Sequence, residues 1–296
     1  MCRLNRTSRL ALAATVLTLI TATTYAATPN GMVVLFTDYG ADSVYVGAIK
    51  GSIYTKFPQA RIDAITNSVP AFDVVTGAYM LVESCKEFPQ GTTFCCVVDP
   101  GVGTPRKRIV LETKNGYYFV APDNGLVSLA AERFGTAAVH EIANQTLWRP
   151  GDPSHTFQGR DIFGPVAAAV ARGTSLAEIG PPIAGLVQLD VKAPRAEGNA
   201  AFGTVIRTDD YGNMVTNLAR EDLAKAGIKQ GDMLDVTIGK KRFQAPWAST
   251  YADVAQGKCV VMVQSSGYVE CAVNKGSLSN RLKEGVHAPV IIRRGR

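Results

Sequence analysis

Past residue 26 the chain has no C-x-x-C pair, no internal repeat, no low-complexity tract and no apolar run of about 18 residues. Those gaps exclude a cysteine metal knuckle, a solenoid, a disordered protein and a helical membrane protein. Charge of one sign is also scarce. Removing Arg3, Arg6 and Arg9 with the leader described next leaves 28 of the 31 basic residues against 25 acidic ones, a net charge of +3. So small an excess gives no electrostatic footprint for nucleic acid. No metal site and no cofactor are expected from these residues.

What is present begins with a basic segment at Arg3, Arg6 and Arg9, an apolar stretch from Leu10 to Ile20, and small residues around Thr24-Tyr25-Ala26. That order is the pattern of a secretory signal peptide spanning residues 1–26, with the mature chain starting near Ala27 and exported to the periplasm or beyond. Initiation at Met32 is the alternative and would give a cytoplasmic product without a leader. Five cysteines remain, Cys85, Cys95, Cys96, Cys259 and Cys271. An odd number argues against a disulfide framework, leaving a Cys259–Cys271 bridge as the open pairing. Cys95 and Cys96 are adjacent in a strand pattern and are expected on opposite faces.

At 296 residues the chain suits two domains. Residues 27–190 alternate short apolar runs with helical stretches, the pattern of an α/β domain with a mainly parallel sheet. Strands are expected at Val33–Phe36, Ala60–Ile65, Phe94–Val98, Arg108–Thr113 and Tyr117–Val120, the last two joined by Asn115-Gly116 as a hairpin. Helices are expected at Val44–Thr55, Val74–Cys85, Val127–Phe134 and Ile162–Ala171, with a loop rich in Pro, Gly and polar residues between Phe134 and Asp161. Residues 191–198 read as a linker. Residues 199–296 hold seven short strand patterns and one helix near Glu221–Ala226, which fits a small barrel or sandwich.

Polar residues collect where these strands stop. Asp99-Pro100-Gly101-Val102-Gly103 follows a buried strand, and Arg106 stands seven residues after the aspartate. The carboxyl ends of strands are where open α/β sheets bind ligands. Asp38 and Asp42 follow the first strand, and Asn124 follows the hairpin. Asp38 suits a ribose diol, against the plainer role of a turn cap. Thr156-Phe157-Gln158-Gly159-Arg160-Asp161 precedes a helix that Asp161 could cap.

Together, Phe36-Thr37-Asp38-Tyr39-Gly40, the Asp99–Arg106 loop, Ala121-Pro122-Asp123-Asn124-Gly125-Leu126, Thr156–Asp161, Tyr211-Gly212-Asn213 with Thr216-Asn217, and Thr250-Tyr251-Ala252-Asp253-Val254 resemble the S-adenosyl-L-methionine hydroxide adenosyltransferases. That family is similar to the bacterial fluorinase and chlorinase. The resemblance runs from about residue 32 to the C-terminus. It implies an N-terminal α/β domain, a C-terminal β-barrel, and a homotrimer holding its small-molecule ligand between subunits. It also implies hydrolysis of S-adenosyl-L-methionine to adenosine and methionine by attack of water or hydroxide on ribose C5′.

Carried over residue by residue, the resemblance assigns Asp38 to the ribose hydroxyls and Phe72 to stacking on the ligand. It assigns Asp99 and Arg106, with Gln158, to the attacking water. Asn213 and Tyr251 fall where adenine is held, and Asp209 and Ser265 where the methionine portion lies. His is common in the family at the positions of Gln158 and Asn67; His155, three residues upstream of Gln158, is the candidate substitute. Halogenating relatives carry Tyr in place of Asp99, and the fluorinase carries Ser in place of Gly159. Besides the hydrolase, two readings stay open: a binding protein that keeps the adenosine pocket without the chemistry, and a hydrolase of another nucleoside or sulfonium compound.

Overall fold

The computed structural model describes residues 27–295; the signal peptide expected over residues 1–26 lies outside them. The first sheet is built from β1 (Met32–Thr37), β2 (Arg61–Thr66), β3 (Thr93–Val97), β4 (Arg108–Thr113), β5 (Tyr118–Pro122) and β6 (Thr136–Glu141), in the order β2-β1-β3-β5-β4-β6. The four strands β2, β1, β3 and β5 run parallel, while β4 and β6 pair antiparallel. Helices α1 (Val44–Lys56), α2 (Val74–Ser84), α3 (Ser128–Phe134), α4 (Gly164–Ala171) and the short α5 (Leu176–Ile179) complete this part.

Strand alternation divides the core into two layers. Val33, Leu35, Cys95 and Val97 pack with Ile49 and Ile53 of α1 and Val166 and Val170 of α4. Val34, Phe36, Phe94 and Cys96 face the other way and meet Leu81 of α2 and Ala130 of α3. Cys95 and Cys96 therefore lie on opposite faces, and both sides of β3 are sealed. Phe94 and Phe119 stack across β3 and β5 with centroids 5.0 Å apart, a contact of about 0.5–1.5 kcal/mol beyond its buried area. With both faces covered, β3 exposes function only at its carboxyl end, where Asp99 stands.

The second sheet comprises β7 (Arg195–Glu197), β8 (Ala200–Thr208), β9 (Met214–Ala219), β10 (Met233–Ile238), β11 (Lys241–Pro246), β12 (Cys259–Val263), β13 (Tyr268–Val273) and β14 (Pro289–Arg294). It is antiparallel, ordered β11-β10-β14-β8-β9-β13-β12 with β7 added beside β8. A bridge between Trp247 and Val261 joins its two ends, so the sheet is a nearly closed barrel. Its helices are α6 (Arg220–Lys225) and α7 (Leu278–Leu282).

Several expectations need correction. The loop expected after Phe134 contains the edge strand β6, which pairs with β4. The expected linker contains β7, and α7 is a second helix in the barrel. All five cysteines among the described residues are free thiols. Cys271 sits opposite Val261 and Cys259 opposite Val273, so the two are diagonal neighbours on adjacent strands. That offset of about 7–8 Å is beyond disulfide reach. Asp161 does not cap a helix but lies within a turn of π-helix, Gly159–Phe163, that leads into α4.

Candidate active site

Asp99 is aimed by what holds the end of β3. Asn124 donates from Nδ2 to the Val98 carbonyl at 2.8 Å and accepts the Leu126 N–H on its own oxygen. Asn124 therefore braces the strand end from the neighbouring turn. The chain then turns twice: the Val102 N–H reaches the Asp99 carbonyl at 3.3 Å, and Thr104 donates from N and Oγ1 to the Gly101 carbonyl. Gly103 adopts φ +83° in this turn, a conformation that Cβ disfavours. The double turn returns Arg106 to the aspartate.

There the guanidinium grips the carboxylate with both arms. Arg106 Nε lies 2.8 Å from Asp99 Oδ1, and Nη2 meets Oδ2. The side chains are 9% and 6% exposed, so the pair is nearly dry. The same Nη2 donates to Gln158 Oε1 at 2.8 Å. Gln158 is buried and spends its carbonyl on Arg106, which leaves its Nε2 hydrogens as donors. The structure thus assembles the three residues assigned to the nucleophile, although Gln158 is 52 positions from Arg106.

Tyr39 was missed as a site residue. Burial and the negative charges of Asp38 and Asp99 push its phenol well above the ordinary value, so it stays protonated. Its ring packs against Tyr45 and Phe157, each with centroids 5.9 Å away. A Cβ on Gly159 would stand 2.6 Å from the Tyr39 hydroxyl and 3.0 Å from Ile49 Cδ1. The signal was its place beside Asp38 at a strand end. Asp161 is 2% exposed; Arg160 binds it through Nε and Nη2, and the Ser154 N–H adds a third bond at 2.9 Å. Burial raises the Asp161 pKa, but the bonds from Arg160 and Ser154 outweigh it and the net shift is downward.

Asp38 Oδ2 accepts the Phe72 N–H at 3.0 Å. Phe72 has φ +65° and is 72% exposed, a strained backbone carrying a bare ring; such a conformation costs about 1–3 kcal/mol. Asn67, one loop away, is buried and accepts the Thr37 hydroxyl at 3.0 Å. His155 is exposed, and its side chain has no hydrogen-bond partner among the described residues; only its carbonyl approaches the Gly103 turn. It does not join Asp99, Arg106 and Gln158. Asp42 is likewise exposed, in the turn before α1.

The remaining candidates gather on the barrel. Asp209, Asn213, Tyr251 and Ser265 line one open cleft of about 790 Å³, with Tyr211, Arg207 and Glu270. Asp209 accepts the backbone N–H of Tyr211 and Asn213 on Oδ1, and the Asn213 amide on Oδ2 at 2.9 Å. Asn213 Nδ2 also lies 3.4 Å from the Tyr251 hydroxyl, which donates to Glu270 at 2.6 Å. Burial raises the Glu270 pKa, and the Tyr251 bond opposes the rise. Ser265 and Tyr211 are exposed at the rim. Among the described residues no hydrogen bond joins this cleft to Asp38, Asp99, Arg106 or Gln158.

Known proteins are similar to this chain across both of its domains. Residues 33–180 match the SAM hydroxide adenosyltransferase N-terminal domain, and residues 203–291 match the corresponding C-terminal domain. A curated (R)-S-adenosyl-L-methionine hydrolase of Salinispora tropica is 37% identical, over 86% of this chain and 94% of the relative. A Thermus thermophilus protein of the same name is 31% identical over 86% and 97%. A fluorinase of an Actinoplanes species is 28% identical over 88% and 97%. The crystal structure of an uncharacterized conserved protein from Thermotoga maritima superposes with a TM-score of 0.85 at 39% identity, covering 89% of this chain and all of that one. With both domains matched in order across nearly all the described residues, the chain belongs to the SAM hydroxide adenosyltransferase family.

Proposed function

We propose that the chain hydrolyses S-adenosyl-L-methionine to adenosine and L-methionine. An oxygen of water or hydroxide forms a bond to ribose C5′ while the C5′–S bond breaks. The electron pair leaves with sulfur, the sulfonium becomes the neutral thioether of methionine, and the nucleophile's proton passes to solvent. The leaving group is already activated by its charge, so the protein's task is to position a partly dehydrated oxygen. No cofactor takes part.

The observation that carries this reading is the dry Asp99–Arg106–Gln158 cluster at the end of β3. Asp99 accepts a hydrogen bond from the nucleophile, Arg106 holds that carboxylate in place with both arms, and Gln158 donates toward the oxygen. Asp38 takes the ribose hydroxyls and Phe72 stacks on the ligand. Asn213 and Tyr251 hold adenine, with Asp209 and Ser265 on the methionine side. Halogenation is disfavoured because Asp99 stands where halogenating relatives carry Tyr, and the space that the fluorinase's serine would need at position 159 is filled by the Tyr39 hydroxyl and Ile49. A second reading, an adenosine-binding protein without turnover, is favoured by Gln158, which is no base at neutral pH.

The ligand is held between subunits of a homotrimer. Supporting this, the two groups of ligand residues sit on different domains, and Phe72 and Tyr211 stand 72% and 79% exposed, bare enough to be covered by a neighbour. The leader pattern supports export of the mature chain, which mass analysis of the N-terminus of cell-derived protein tests. For the activity, purified protein is mixed with S-adenosyl-L-methionine and products are followed by chromatography, with light scattering for mass. Adenosine release by a trimer supports the proposal. Adenosine binding without release selects the second reading, halogenated adenosine in added chloride or fluoride overturns the choice of nucleophile, and full activity as a monomer overturns the shared site.

A further inference from the structure

Helix α2 packs against the barrel, which holds it at both ends. At its last turn Glu83 accepts from Arg207 Nη2 at 3.2 Å and from Ser266 Oγ at 3.3 Å. Midway, Tyr79 meets Tyr268 edge-on at 5.8 Å, beside buried Ile206 and Val215. At its first turn Asp73 caps the helix, accepting Thr76 N at 2.9 Å and Thr76 Oγ1 at 2.7 Å. His287 Nε2 lies 3.0 Å from the same Asp73 Oδ2, a contact across 214 positions of chain.

The backbone that carries the half-exposed imidazole is anchored. The His287 N–H donates to the Val205 carbonyl at 2.8 Å, and the Val205 N–H donates to the Ala288 carbonyl at 2.9 Å. His287 itself adopts φ +66°, a conformation that directs its side chain at a backbone cost. The residue it grips is the immediate neighbour of Phe72, whose N–H is tied to Asp38. His287 on the barrel thus bears on the Asp38–Phe72 pair through one capping carboxylate.

We infer that His287 is a positioning residue for substrate: by holding Asp73 it fixes the strained Phe72 turn, so the C-terminal domain preorganises the ribose-binding loop of its own subunit. The inference rests on the proposed activity, because it assigns Asp38 and Phe72 to ligand. It predicts an effect on binding, not on bond breaking. Asp73 keeps both Thr76 bonds without the imidazole, so the helix cap survives its removal.

His287→Gly tests this without adding strain, since glycine accepts the positive φ, and His287→Gln returns an N–H donor at similar reach. In the glycine variant the KM for S-adenosyl-L-methionine and the adenosine Kd are expected to rise about fivefold or more, the scale of coupling between linked sites, with kcat changed less than twofold. The glutamine variant is expected to recover most of that loss at an equal thermal midpoint. Unchanged KM and Kd in the glycine variant, or no recovery with glutamine, would overturn the inference. If the wild type neither turns over nor binds adenosine, the functional proposal fails alone, and amide exchange still decides the grip. Faster exchange at Asp73–Gly77 in His287→Gly supports it, and equal exchange overturns it.

Discussion

Arg106 and Asp99 face each other fork to fork, with Nε–Oδ1 at 2.8 Å and the second arm closing on Oδ2 while also holding Gln158. A planar guanidinium is needed for that geometry, and a lysine ammonium cannot reproduce it. Asp99→Asn and Arg106→Lys are therefore expected to lower kcat for S-adenosyl-L-methionine hydrolysis by about a hundredfold or more, with smaller changes in KM. Adenosine release under saturating substrate checks both.

Gln158 lends an oriented amide but cannot accept a proton. Gln158→His is expected to raise the rate at neutral pH about tenfold or more, at the low end of or below a general base's usual contribution. The rate profile of this variant should also gain an inflection near the ordinary imidazole value of about 6.5. A pH–rate series for both proteins tests it.

The turn at Gly159 has no space for a side chain, because a Cβ there would stand 2.6 Å from the Tyr39 hydroxyl. Gly159→Ala should destabilise the protein by about 1–3 kcal/mol through overpacking. Adding Tyr39→Phe removes the crowded oxygen, so the double variant should lose less than the sum of the single losses, with a coupling of about 0.5 kcal/mol or more. Urea midpoints of the four proteins close the cycle.

Asp161 has its folded pKa below the ordinary aspartate value of 3.8. Its contribution is complete above that value and is lost as pH falls through the folded pKa, because the unfolded chain takes up the proton first. Wild-type stability should therefore decline below about pH 4. Asp161→Asn, which keeps an acceptor for Ser154, should cost about 1–3 kcal/mol at neutral pH and show a shallower acid decline. Denaturant titrations between about pH 2 and 7 measure both.

Buried strands announced themselves through apolar runs, and Phe94-Cys95-Cys96-Val97 is the clearest case because both its faces are covered. Strand β6 gave no such signal: Thr136 and Ala137 are exposed at a sheet edge and Val139 is its one buried residue, too little for an apolar run. Strand β7 spans three residues and α7 five, too short for any periodicity. The Asp99–Arg106 pair was legible because one turn contains both. Gln158 reached the site only through the family resemblance, and the His287–Asp73 contact left no trace in local pattern, since docking of two domains creates it.

The barrel's two end strands connect at the Trp247–Val261 bridge, and Trp247 is buried there beneath the Arg220 guanidinium, 5.4 Å from the ring. The chain has two tryptophans, and the other, Trp148, lies in the α/β core. Each lobe therefore carries its own intrinsic fluorophore. In a Trp148→Phe background the emission maximum reports the seam alone, so parting of the barrel can be timed separately from melting of the α/β half.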